Sequence, residues 1–177
     1  IARDSPTMAG ALAGSGLTLD QALRNAVSML DLDLPVAAQL VTESPARVRA
    51  TARQFSIVVD EPPELGGTDA GPNPVETVLA GLAGCLNVVA HLVAREHGIA
   101  LSDLAIATRG ELNPLRLFNQ PTTDRPGFKL IEATLSFKSD AAPERLRRWL
   151  AEVESRCPVS DNLGNATPLK LKLAPAA

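Results

Sequence analysis

Aromatic residues are nearly missing from this chain: its 177 residues include four Phe, one Trp and no Tyr. Base-stacking platforms and sugar-binding surfaces need exposed rings, so both are disfavoured. A charge of one sign is missing as well. Seventeen Lys and Arg against 20 Asp and Glu leave a net charge of −3, which draws neither nucleic acid nor an anionic membrane. His occurs only twice, while a metal site needs three or four converging ligands. Gly66-Gly67 with Gly71 lacks the strand-to-helix context of a phosphate-binding turn. Neither a metal site nor a phosphate-binding loop is therefore expected. The opening residues, Ile-Ala-Arg-Asp-Ser-Pro, do not run from a basic start into an apolar core, as a secretory signal does. The nearly apolar run from Val78 to Ala94 is broken by Gly81, Gly84, Asn87 and His91, which suits a buried helix better than a membrane span. A soluble cytoplasmic protein is the expectation.

Cysteine is scarce too, with Cys85 and Cys157 alone. In a reducing compartment two thiols do not suggest a structural disulfide, and the commoner fate of such residues is to be small buried hydrophobes. What is present is an ordinary globular balance, 45% apolar and 21% charged, enough for one domain with a full core.

The expected elements follow from periodicity and punctuation. Residues 1–45 form an extension holding one amphipathic helix over about 18–31, where Thr18 and Gln21 match a capping box. Residues 46–177 form the main domain. Ala46–Thr51 and Phe55–Val59 read as extended, with a turn or bulge at Ala52-Arg53-Gln54. A loop dense in Pro and Gly leads to a long helix from Pro74 to about His97, closed by Gly98. Strands follow over Leu104–Glu111 and Phe128–Lys138, then a helix from Pro143 to about Arg156, and a last short strand over Leu169–Leu173. This order makes an α+β domain. Trp149, beside Leu146, Leu150 and Val153, reads as core, and Glu144-Arg145-Arg147-Arg148 as a solvated helix face.

Cys85 lies inside the long helix, on one face with Val78, Leu82, Val89 and Leu92. The opposite face is apolar as well, so the helix is expected to be covered on both sides. Burial raises a thiol's pKa, so a reactive Cys85 requires a cation or hydrogen-bond donors from another segment. Arg47, Arg49 and Arg53 are the candidates, although a solvated strand edge is the commoner place for Arg. Gly81 and Gly84 each cost ~1 kcal/mol in a helix interior, a cost that close approach of another helix would offset. A homodimer with two such helices crossing is expected. Cys157 precedes Pro158 and suits the N-cap of a short helix; that helix N-terminus and neighbouring Arg156 both favour a thiolate. His91 and Asn87, four apart on another face, suit a buried hydrogen-bonding role, and His97 complements the helix dipole.

Asp60-Glu61-Pro62-Pro63-Glu64-Leu65-Gly66-Gly67, then Gly71-Pro72-Asn73-Pro74-Val75-Glu76, then Ala80-Gly81-Leu82-Ala83-Gly84-Cys85 resembles the signature of the OsmC/Ohr family. Cys157-Pro158-Val159-Ser160, with Asn165 and Leu169–Leu173, resembles that family's second-cysteine motif, and the loop before Arg125-Pro126-Gly127-Phe128 fits. The resemblance covers roughly residues 46–173. It implies antiparallel sheets wrapped around long central helices in an intertwined homodimer, and a thiol-dependent peroxidase acting on organic hydroperoxides. Cys85 would attack the peroxide and become a sulfenic acid, and Cys157 would condense with it to a disulfide. An external dithiol, for instance a lipoyl-linked one, would then reduce the disulfide, with no metal or bound organic cofactor needed. The family's arginine is placed at Arg53.

In the hydroperoxide-resistance branch a catalytic Glu directly follows Asn-Pro. Here Val75 holds that position and the carboxylate is at Glu76, nine residues before Cys85 (85 − 76 = 9). Nine residues turn a helix by about 900°, which sets Glu76 opposite Cys85, so a plain role in the first helical turn competes with a catalytic one. The departure suggests a divergent OsmC-like branch. Two other readings stay open: a thiol redox sensor, and a non-catalytic dimer binding a small apolar ligand around Val75, Val78 and Leu82.

Overall fold

The computed structural model describes residues 34–40 and 44–174. The helix expected over 18–31 lies outside the described residues. Among the described residues five strands and three helices follow one another: β1 (Ala37–Leu40), β2 (Val48–Ala52), β3 (Phe55–Val59), α1 (Pro74–Glu96), β4 (Ser102–Glu111), β5 (Leu130–Lys138), α2 (Pro143–Arg156) and α3 (Pro158–Gly164). Single 3-10 turns at Pro63–Leu65 and Pro114–Arg116 punctuate the loops. The strands form a three-stranded sheet in the order β1-β2-β3 and a separate β4-β5 ribbon.

Two compact units divide these elements, one holding the described residues up to Gln39 with Ala50–Ile57, the other Leu40–Arg49 with everything from Val58 onward. In the first, Thr51 Oγ1 donates to the Ala37 carbonyl at 3.3 Å. The expected turn between β2 and β3 forms at Arg53, whose φ of 54° is the left-handed conformation a tight reversal needs.

The second unit is built on α1. Asn73 caps it: its side chain accepts from the Glu76 N–H at 2.8 Å, while the Glu76 carboxylate accepts from the Asn73 N–H at 2.9 Å. At the other end Gly98, with φ of 61°, lets the Ile99 N–H reach back to the Ala94 carbonyl at 2.7 Å, and buried Ile99 seals that turn. Leu82, Leu86, Val89, Ala90 and Val93 recur at helical spacing as one buried stripe. They share the core with Trp149, Val153 and Cys157, flanked by Leu104 and Ile106 of β4 and Ile131, Leu135 and Phe137 of β5. β4 and β5 pair antiparallel from Glu111↔Leu130 to Ala105↔Ser136, with an irregularity before Ser102↔Lys138. The Trp149 indole N–H donates to the Ala90 carbonyl at 2.9 Å, and its ring meets Phe137 edge-on at 5.0 Å between centroids.

Two expectations are corrected. Leu169–Leu173 forms no strand within the chain: residues 165–174 have no regular structure, and Leu169, Leu171 and Leu173 are 85%, 91% and 100% exposed. Alternation prepares a strand but does not supply the neighbour whose backbone must complete its hydrogen bonds. The described residues also cover α1 on one side only. Val75, Val78 and Val88 are exposed, and among the described residues nothing approaches the place of a Cβ at Gly81 or Gly84 within 4 Å. By length and composition alone α1 could cross a membrane; here one of its faces is the core.

Candidate functional site: two cysteines beside an apolar cleft

The loop before α1 is organised by Asp60, which is wholly buried. Its carboxylate accepts from the Thr68 hydroxyl at 2.6 Å and from the N–H groups of Glu61, Thr68 and Ala70 at 2.9–3.1 Å. Burial favours its proton, but these donors together outweigh that and hold the acid below its ordinary value. Gly67 is required there, because a Cβ would lie 1.7 Å from the Glu61 carbonyl oxygen. Arg47 Nη1 donates to Thr68 Oγ1 at 3.1 Å, which places this arginine in the loop scaffold.

Cys85 sits half-buried in the turn of α1 between Leu82 and Leu86. Cys157 is 1% exposed and stands at the junction of two helices, the C-cap of α2 and the N-cap of α3. Its sulfur accepts the Ser160 N–H at 3.4 Å, so the cap expected from Cys157-Pro158 forms. The two sulfurs, 72 positions apart in sequence (157 − 85 = 72), are near enough that each shifts the other's ionisation, and the Val159 N–H favours the thiolate at both.

This setting treats the two thiols unequally. Burial pushes Cys85 up, the Val159 N–H draws it down, and the neighbouring Cys157 pushes it up again; the balance lies above the ordinary thiol value. Burial is also the largest single influence on Cys157 and raises it. The Ser160 hydroxyl, the Ser160 N–H, the Cys85 thiol and the Val159 N–H together outweigh that and hold Cys157 below the ordinary value. The proton is therefore held more tightly at Cys85 than at Cys157.

Arg156 does not help, contrary to expectation. Its guanidinium binds Glu96 through both terminal nitrogens, at 2.5 and 3.1 Å, and Glu152 at 2.8 Å, so its charge is neutralised before it reaches the sulfur. Glu152 also receives His97 Nε2 at 2.7 Å, and Arg145 donates to the His97 carbonyl. His97 is thus the C-cap of α1 and an anchor for α2. His91 Nδ1 lies 2.8 Å from the Asn87 carbonyl one turn earlier.

The remaining expected site residues are placed as follows. Glu76 is exposed at the first turn of α1, its carboxylate engaged in the capping box. Arg53 lies in the other unit, exposed in the β2–β3 turn, its guanidinium 5.1 Å from the Phe55 ring centroid. Arg49 is exposed on β2. Among the described residues the groups that set the Cys85 thiol are Val159 and Cys157, and none is an arginine. The sequence reading missed Ser160 and Val159 as the donors to sulfur. The residue three beyond an N-cap is the standard capping donor, so Ser160 was open to inference.

An open cleft of about 730 Å³ is lined by neighbours of both cysteines, though by neither cysteine itself. Val75, Val78, Leu82 and Leu86 form one wall, as expected for the first three, and Ile131, Leu135, Val153 and Leu163 continue it. Arg125, Lys129, Glu154 and Ser160 supply its polar positions. Leu82 and Leu86 flank Cys85 along α1, and Val153 and Ser160 flank Cys157, so the cleft and the sulfurs share their neighbours. No group of three or more His, Cys, Asp or Glu suited to a metal occurs among the described residues.

This arrangement can be set beside known proteins. Residues 67–172, more than half of the chain, match the family model of OsmC-like proteins. A hydroperoxide reductase of Mycoplasma genitalium is 25% identical over 134 residues, which are 76% of this chain and 90% of that protein. The crystal structure of an OsmC-like protein from Mycoplasma pneumoniae superposes with a TM-score of 0.65 at 24% identity, over 76% of this chain and 89% of that one. An organic hydroperoxide resistance protein from Legionella pneumophila gives a TM-score of 0.54 at 21% identity, over 75% and 89%. The α+β fold with its antiparallel sheets is shared with these structures.

Proposed function

The chain belongs to the OsmC-like protein family, and from that premise we propose that it is a thiol-dependent peroxidase reducing organic hydroperoxides through Cys85 and Cys157. The observation that carries the proposal is that the two cysteines lie near enough to shift each other's ionisation, with neighbours of both lining an apolar cleft. The names of the relatives, hydroperoxide reductase and organic hydroperoxide resistance protein, support the substrate class.

In the proposed cycle a hydroperoxide ROOH lays its apolar R group along Val78, Leu82 and Leu86. Cys85, the more accessible sulfur, attacks the terminal peroxide oxygen while its proton passes to the Cys157 thiolate. The O–O bond breaks, RO⁻ leaves and becomes the alcohol, and Cys85 becomes a sulfenic acid. Cys157 then attacks that sulfur, expels the oxygen as water and forms the disulfide. Two electrons have gone from the dithiol to the peroxide. An external dithiol, lipoyl-linked in one version, restores the pair. Arg53 is carried in the proposal as the positive charge expected from the sequence, and Glu76 as a residue that places α1 rather than one that meets the peroxide. The working form is a homodimer in the cytoplasm, where thiols stay reduced.

Cumene hydroperoxide added to the reduced protein with dithiothreitol should be consumed catalytically, and Cys85→Ser should abolish turnover. A Cys85→Ser protein that turned over at the wild-type rate would refute the reading. The raised Cys85 thiol and the size of the cleft favour one alternative, a non-catalytic module for a small apolar ligand. That module would hold its ligand equally well after both cysteines were replaced.

A further inference from the structure

Building on the two-cysteine reading above, we infer that the reductant opens the disulfide at the sulfur of Cys85 and expels Cys157 as the leaving thiolate. Thiol–disulfide exchange is an in-line substitution, so the incoming sulfur must approach along the S–S axis from behind the sulfur it attacks, and the rate also depends on which thiolate leaves. Both conditions point the same way here.

Access is unequal. Cys157 is 1% exposed and belongs to the buried cluster of Trp149 and Val153, so lines to its sulfur that avoid Cys85 run through packed side chains. Cys85 is half-buried, in the turn of α1 whose Leu82 and Leu86 line the open cleft. The seats for a leaving group are unequal too. An expelled Cys157 sulfur meets the Ser160 N–H, which already donates to it at 3.4 Å at the N-cap of α3, whereas Cys85 lies within α1 and among the described residues no such cap holds its sulfur. A better-held thiolate leaves faster.

The step balances. One deprotonated sulfur of a small dithiol bonds to Cys85 Sγ, the Cys85–Cys157 bond breaks, and its electron pair goes to Cys157. The reductant's second thiol then attacks its own first sulfur and releases Cys85, which takes a proton. The reductant departs as a cyclic disulfide, and two electrons have passed to the pair.

Glutathione, a monothiol that stalls at the mixed disulfide, reads the direction. The full chain is oxidised in one arm with cumene hydroperoxide and in a second with diamide, then exposed briefly to glutathione and quenched in acid. Free thiols are alkylated after denaturation, and the two cysteine peptides are compared by mass spectrometry. At the earliest times the glutathione adduct should sit on Cys85 in about tenfold excess. An equal or larger share on Cys157 overturns the inference. If diamide closes the bond and the hydroperoxide does not, the peroxidase reading fails while the direction of exchange is still read. If neither oxidant joins the two sulfurs within one chain, the inference falls as well.

Discussion

Ser160 donates twice to Cys157, through its backbone and through its hydroxyl, and the two contributions are separable by mutation. Ser160→Ala keeps the N–H that caps α3 and removes only the hydroxyl. A hydrogen bond to a charged group is worth about 1.5 kcal/mol, or roughly one pKa unit. The lower inflection in the pH profile of thiol alkylation should therefore move up by about that much, with the fold intact by circular dichroism. An unchanged inflection would mean that the hydroxyl does not hold the thiolate. At this scale the sequence was legible where chemistry is local. Cys157-Pro158 announces an N-cap, because both residue preferences act within one turn. The reading of Arg156 failed for the opposite reason: adjacency suggested a donor of charge, but Glu96, 60 positions away, binds it first. Cys85 was read as needing a cation or hydrogen-bond donors from another segment; the donor is the Val159 N–H, brought by a segment no local pattern could link to it.

Helices α1 and α2 hold the two cysteines in register, and Trp149 is the main pin between them. Its indole N–H satisfies the Ala90 carbonyl in the core, and its ring fills space against Phe137. Trp149→Phe removes that hydrogen bond and leaves a void. The expected loss is about 2–3 kcal/mol, seen as a lower urea midpoint by far-ultraviolet circular dichroism. A change below about 0.5 kcal/mol would show that the pin is dispensable. The ion pairs of Arg156 with Glu96 and Glu152 are a third or more exposed and screened by solvent, which makes them guides of orientation more than sources of stability. Both carboxyls are held below their ordinary value, chiefly by Arg156, so what they contribute is present above about pH 4.5 and lost as the pH falls below it. Helix ends were readable in the sequence from Pro74, Gly98 and Pro143, each of which restricts or frees one backbone angle. Which side of α1 the chain would cover was not readable, because a helix apolar all round gives a hydrophobic pattern without a direction.

For the molecule as a whole, the uncovered side of α1 and the Leu169–Leu173 tail are apolar surfaces that the described chain does not bury. A second copy is the partner we propose for both. Gly81, Gly84 and Val88 share one face of α1, where absent or small side chains admit another backbone closely. Sedimentation equilibrium at tens of micromolar should return twice 18.6 kDa, and Val88→Asp should shift the mass toward one chain. A wild-type protein that ran as a single chain would remove the dimer from the proposal. The failed strand at Leu169–Leu173 fits the same pattern: the alternation is present, and no backbone among the described residues answers it. Cys157, lastly, ends one helix and begins the next with the very sulfur that the proposed disulfide would consume. A disulfide withdraws an acceptor from the first turn of α3, so electron affinity and local helix stability are two readings of one free energy. By reciprocity, a ligand that binds α3 only when that turn is formed would draw the pair toward the dithiol by as much as the disulfide weakens the turn.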